Sequence, residues 1–147
     1  MKKQTITPTR SITAEIEALL NKQIIMEGKS SAAYLSMASW CDTQGYSISA
    51  EFLYNHSEEE RKHMLKLFRY VNAAGGHALQ PEIEGIKHTF KSLREVFENV
   101  LDHELEVTKS INSIVDSCFQ IKDFATFNFL QWYVMEQREE ETLARRA

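Results

Sequence analysis

Glu60 and His63 stand three residues apart in the segment NHSEEERKHMLKLF, residues 55–68, which reads as helix. That spacing puts both side chains on one face, so a carboxylate oxygen and an imidazole nitrogen can reach one cation. The same face is where a packed helix keeps its apolar residues, and alternating steps of three and four extend it to Phe52, His56, Leu67 and Tyr70. Other segments show the same interruption. One inward stripe is Ile16, Leu20, Gln23, Glu27, Ser30, Tyr34, Met37 and Cys41; another is Leu93, Phe97, Val100, Glu104, Val107, Ile111, Ile114 and Cys118. The last is Thr126, Leu130, Tyr133, Gln137, Glu140 and Ala144. Every stripe carries a carboxylate, and none carries Lys or Arg.

Glu104 is the sharpest case, the one charged residue in an otherwise apolar seam. Burying an isolated carboxylate costs several kcal/mol even after relaxation. Four inward carboxylates without a basic side chain require protons or bound cations, and a divalent pair satisfies them economically. Carboxylate oxygens with one imidazole suit iron or manganese better than copper or structural zinc, which would recruit more His or Cys. Taken singly, these features have ordinary readings. A lone Glu-x-x-His is surface decoration, the Glu58–Glu60 and Glu139–Glu141 runs are solvated faces, and Tyr34 and Tyr133 are core packing. His56 reads as a hydrogen-bonded core or interface histidine nearer the end of the bundle, and His103 falls off its stripe. The joint occurrence on four segments is what favours a metal centre.

Four long helices are predicted to position these residues, at about 13–41, 47–74, 92–119 and from 123 to the last residue. Asp42–Gly45 turns the chain, Gly75 and Gly76 cap the second helix, and Ser92–Glu95 matches a capping box. Residues 75–91, with Gly75, Gly76, Pro81 and Gly85, form a long crossover. Helices of ~28 residues are ~42 Å long. In a chain of 147 residues they can bury their stripes only side by side, which predicts an all-α, antiparallel four-helix bundle over 13–147 after a polar tail at 1–12.

Composition narrows the partners. With 43% hydrophobic and 26% charged residues the chain is a helix-rich globular one. Acidic residues outnumber basic ones 21 to 17, which argues against nucleic acid. Cys41 and Cys118 have no motif spacing, the N-terminus MKKQTITPTRSIT lacks an apolar run, and no stretch approaches the ~20 apolar residues of a membrane span. A cytoplasmic protein with no membrane partner is expected.

The segments YLSMASWC, EEERKHM, HELEVT and FNFLQWYVMEQREEE resemble the ferritins, specifically the bacterial non-haem type, over about Leu20–Glu141. The resemblance implies a ferritin-like bundle with a di-iron ferroxidase centre. Glu27, Glu60 and His63 would hold the first iron. Glu60 would bridge to a second, held also by Glu104 and Glu140 with Gln137 close by. Tyr34 matches a tyrosine beside the centre, an electron donor or hydrogen-bonding partner. A third iron site matches Glu59, Glu136, Glu139 and Glu140. Such proteins oxidise Fe(II) with dioxygen or peroxide and store Fe(III) as mineral inside a 24-subunit shell. Two departures bear on this. Glu104 and Glu140 are followed at +3 by Val107 and Leu143, so the second Glu-x-x-His of rubrerythrins and haem-binding bacterioferritins is missing. The fifth, C-terminal helix of the family is also not seen before Ala147, which leaves a shortened metal-binding or structural subunit without fast oxidation as the alternative. A rubrerythrin-like di-iron peroxidase is the remaining one.

Overall fold

The computed structural model describes residues 9–147, so residues 1–8 of the expected polar tail lie outside the described residues. Four helices, α1 (Ala14–Thr43), α2 (Ser47–Ala73), α3 (Leu93–Gln120) and α4 (Phe124–Arg146), make up the fold, with no strand among the described residues. Local chemistry sets their ends. Thr13, Ser92 and Asp123 accept hydrogen bonds from the backbone N–H groups of Ile16, Glu95 and Thr126, at 3.1, 3.1 and 3.0 Å. Glu95 folds back to accept from the Lys91 N–H at 2.5 Å, one residue outside the capping-box position the sequence suggests.

Three helices end in the same way. Gly45, Gly75 and Lys122 have φ of 83°, 89° and 63°, and the N–H of the following residue returns to the carbonyl five positions back. Those bonds run from Tyr46 to Cys41, Gly76 to Val71 and Asp123 to Cys118, each 2.9 Å. This left-handed cap lets α1 run to Thr43, two residues beyond the sequence estimate.

Turns and side-chain pairs fix the directions. Ser31 meets Ser57 across α1 and α2, Gln23 meets Ser110 across α1 and α3, and Gln137 meets Glu104 across α4 and α3. The short turns at 44–46 and 121–123 make α1/α2 and α3/α4 antiparallel; α1/α3 is antiparallel because Tyr34 meets Glu104 while Gln23 meets Ser110, and α2/α4 because Tyr70 meets Thr126 while the Tyr133 hydroxyl reaches the His63 carbonyl at 2.6 Å. Residues 74–92 run along α1, tied at Asn21 to His77 and Leu79 and at Ser36 to Lys87. That long crossover makes α3 parallel to α2.

Buried apolar side chains form two blocks. One contains Ile16, Leu20, Leu67, Val107, Ile111 and Leu130; the other contains Met37, Cys41, Leu53, Val96, Val100 and Ala144. The polar inward residues lie between them. Both cysteines are buried and free, as small core residues.

Lys122 is the one non-glycine residue described with positive φ. Because a Cβ in that region costs about 1 kcal/mol, Lys122→Gly is expected to raise the unfolding temperature by about 2 °C despite its looser unfolded chain. Thermal denaturation measures this, and a drop of that size would contradict the left-handed cap.

Candidate metal centre

Between the two apolar blocks, Glu27 from α1, His56, Glu60 and His63 from α2, Glu104 from α3, and Gln137 and Glu140 from α4 are all buried. Their ligand atoms form three overlapping groups. His56, Glu60, Glu104 and Glu140 make one, Glu27, Glu60 and His63 a second, and His63, Glu136 and Glu140 a third, with the atoms of each within 4.8 Å of one another. Glu60 belongs to the first two and so stands where it can bridge them.

The two ends of the centre differ in how their oxygens are satisfied. Glu104 is fully clamped: the Tyr34 hydroxyl donates to Oε1 at 2.5 Å, and the Gln137 amide donates to Oε2 at 3.1 Å. Glu27 is half clamped, with Gln23 Nε2 donating to Oε1 at 3.2 Å and Oε2 left without a partner. Glu60 has neither oxygen hydrogen-bonded, and His63 has neither ring nitrogen hydrogen-bonded. Among the described residues, eight buried side-chain polar atoms lack a partner, and seven of them belong to Glu27, His56, Glu60, His63 and Glu140. Native proteins keep few such atoms, and their collection at one level is the signature of a ligand site.

Charge follows the same division. Burial raises the Glu27 carboxyl well above its ordinary value, and the Glu60 charge adds to this. Glu60 is brought up to about 8, first by burial and then by the Glu104 charge. Burial would also lift Glu104, but the nearby His56 ring and the hydrogen bonds from Tyr34 and Gln137 outweigh it and hold the carboxyl below its ordinary value. His56 is pushed down by burial, yet contacts with Glu104 and Glu140 reverse this and bring it up to about 10. Its Nε2 lies 2.6 Å from Glu140 Oε2 and 3.7 Å from both Glu60 Oε1 and Glu104 Oε1, an ion-pair contact rather than an aligned hydrogen bond.

His56 is therefore placed differently from the sequence reading, which put it nearer the end of the bundle. It sits at the level of the carboxylates, and its protonated ring is the basic group that the inward stripes lack on a count of Lys and Arg. His103, which the sequence places off its stripe, is half-buried. Its Nε2 meets the Ser30 hydroxyl, and its ring stands edge-on to Tyr34 with centroids 5.8 Å apart. Of the four carboxylates expected at a third position, Glu136 and Glu140 join His63. Glu59 and Glu139 are exposed, and Glu59 pairs with Lys62 at 3.5 Å.

Two hydroxyls on α3 escape a stripe-based reading. Thr108 accepts from the Gln137 amide at 3.3 Å and donates to Glu141 Oε2 at 2.5 Å, and Ser110 donates to Gln23 Oε1 at 2.5 Å. Both are off the inward stripe, and only the amide-bearing stripe positions Gln23 and Gln137 signal that such partners are needed.

An antiparallel bundle with one long crossover and a carboxylate–histidine cluster at mid-height is the class of metal-handling ferritin-like bundles. Comparison with known proteins agrees with that class and narrows it. The family described as Ferritin-like domain matches residues 17–146. A probable bacterial non-heme ferritin-like protein of Haemophilus influenzae is 47% identical over 132 residues, 90% of this chain and 80% of its own. The bacterial non-heme ferritin of Campylobacter jejuni is 44% identical over 134 residues, 91% of this chain and 80% of its own. Among solved structures, Chlorobium tepidum ferritin superposes with a TM-score of 0.89 at 43% identity, covering 92% of this chain and 82% of that one. The chain belongs to the ferritin family of iron-storage proteins.

The proton distribution predicts how the metal-free protein responds to pH. Glu27 and Glu60 keep protons to higher pH when folded than when unfolded, so between the ordinary value of 4.5 and about 8 the folded state binds more protons and stability falls as pH rises. His56, raised from 6.5 to about 10, acts in the same direction over its own window. Glu104, lowered from 4.5, acts oppositely but only in acid. Chelator-treated protein is expected to show a higher urea midpoint at about pH 5.5 than at about pH 8, with Glu60→Gln reducing the difference. A midpoint that increases over this range would contradict the buried-proton description.

Proposed function

We propose that this ferritin is a ferroxidase, oxidising Fe(II) with dioxygen at the buried centre and passing Fe(III) to a stored mineral. The carrying observation is the pair of adjacent ligand groups that share Glu60, rich in unpartnered buried oxygens and nitrogens. Glu27 Oε2, one Glu60 oxygen and one His63 nitrogen would receive the first ferrous ion. The other Glu60 oxygen, Glu104 and Glu140 would receive the second, which would replace protonated His56 as the countercharge and release its proton.

The bridge matters because dioxygen takes two electrons to become hydrogen peroxide, one from each ferrous ion, together with two protons. Two ions held side by side supply both electrons in one encounter. Carboxylates also stabilise Fe(III) over Fe(II), which lowers the cost of oxidation. Tyr34 is buried with its hydroxyl already donating to Glu104, so loss of an electron from its ring leaves the proton an acceptor. The centre holds one Glu-x-x-His and little imidazole, a donor set from which ferric iron can leave.

Glu136, half-buried beside His63 and Glu140, is the outward step of that path, with Glu59 and Glu139 as the exposed carboxylates that would complete a third iron position. Release requires a compartment, and the fold's family implies a homo-oligomeric shell, of 24 subunits in the bacterial type, in the cytoplasm. No helix among the described residues is long and apolar enough to cross a membrane.

Mixing the protein aerobically with two Fe(II) per chain is expected to give a rapid ferric absorbance rise, slowed at least about tenfold in both Glu60→Ala and His63→Ala. Wild-type rates in both variants would refute the assigned centre. Metal uptake with oxidation no faster than in buffer would instead make the chain a binding subunit.

A further inference from the structure

Gln23 has no place in the ligand set, yet it is completely buried on a stripe whose neighbours Ile16, Leu20 and Ile24 are apolar. A leucine would fill that position at no polar cost, so the amide needs a reason. Both of its ends are committed. Nε2 donates to Glu27 Oε1 at 3.2 Å, with the Met26 sulfur at 3.8 Å, and Oε1 accepts from the Ser110 hydroxyl at 2.5 Å. Glu27 must be ionised to hold a metal ion and then only accepts, and the Ser110 hydroxyl is directed at the amide oxygen, so with an ion bound the amide has one orientation that satisfies both neighbours. What remains of Glu27 is Oε2, unpartnered and grouped with Glu60 and His63.

Resting on the reading of this cluster as a metal centre, we propose that Gln23 and Ser110 are a positioning pair which makes Glu27 bind the first ion through Oε2 alone. The pair does this by occupying Oε1, so that Glu27 cannot turn both oxygens to the ion. A related arrangement stands at the other end of the centre, where the Gln137 amide nitrogen donates both to Glu104 Oε2 and to the Thr108 hydroxyl, while Tyr34 holds the other Glu104 oxygen. In both cases α3 supplies the hydroxyl, two residues apart in sequence, and a glutamine on a flanking helix carries its constraint to the carboxylate. One-oxygen binding keeps the coordination number low and leaves room on the ion for an incoming oxidant.

Anaerobic titration with Co(II), followed by visible absorption, tests the pair without turnover. The first equivalent is assigned by its loss in Glu27→Ala. Gln23→Leu is expected to bind that equivalent about tenfold more weakly, because Glu27 is no longer held in place, and with a fainter visible band, because Glu27 can turn its second oxygen to the metal and raise the coordination number. Ser110→Ala should shift spectrum and affinity in the same direction by less, and Ser110→Thr should restore both. Should Gln23→Leu fail to fold, Ser110→Ala decides, since it removes a single hydroxyl. Wild-type spectra and affinities in Gln23→Leu and Ser110→Ala would overturn the pair while leaving the centre standing; no Co(II) binding by the wild-type protein would overturn the centre and the pair together.

Discussion

Four carboxylates meet at one level of a bundle that is otherwise apolar, and the rest of the structure accommodates that meeting. An unpaired buried carboxylate costs several kcal/mol, so four cannot be tolerated as bare charges. The bundle divides its core into two apolar blocks and places the polar layer between them. Each block spans all four helices, so the packing on either side fixes the helices at the layer where packing is given up. Long helices with firm ends are the means. The three left-handed caps and the hydroxyl and carboxylate caps at the opposite ends keep the registers of α1 to α4 fixed through the polar layer.

Within the layer, charge is met by three different devices. At Glu104 it is met by hydrogen-bond donors from two helices, Tyr34 on α1 and Gln137 on α4, with His56 of α2 close by, which lets the group stay ionised. At Glu140 it is met by protonated His56. At Glu27 and Glu60 it is met by retained protons. The metal-free centre is thus neutralised mainly by protons, all of which a divalent ion can displace. Glu60 stands where the devices meet, coupled by proximity to Glu27 on one side and to Glu104 and Glu140 on the other. Its two unpartnered oxygens stand in two adjacent ligand groups, and its location in mid-helix on α2 gives them a fixed origin.

Much of this was legible in the sequence for a physical reason. Helical periodicity is set by backbone geometry, so carboxylates on an inward stripe report burial directly; Glu27, Glu60, Glu104 and Glu140 are all buried as their positions require. Gly45 and Gly75 marked the helix ends because only a residue tolerant of positive φ closes that cap, whereas Lys122 adopts the same conformation without the glycine signal. Depth along the bundle was less legible. His56 lies one turn from Glu60, and whether it faces an apolar block or the carboxylate layer depends on how far α4 slides against α2. Ser110 and Thr108 were invisible for another reason. They stand off the stripe and matter only through the amides they hold, a relation that needs three dimensions. Glu59 and Glu139 are exposed beside the buried Glu60 and Glu140, a difference in depth that their positions in the acidic runs do not reveal.

The function proposed for the carboxylate layer is to hold two adjacent cations bridged by Glu60. Crystals grown without metal, soaked anaerobically in Fe(II) and measured on either side of the iron absorption edge, test it most directly. Two anomalous peaks are expected inside the bundle, one bounded by Glu27, Glu60 and His63 and the other by Glu60, Glu104 and Glu140, with the His56 ring displaced from Glu140. Iron found only on exposed carboxylates, with His56 still against Glu140, would contradict it.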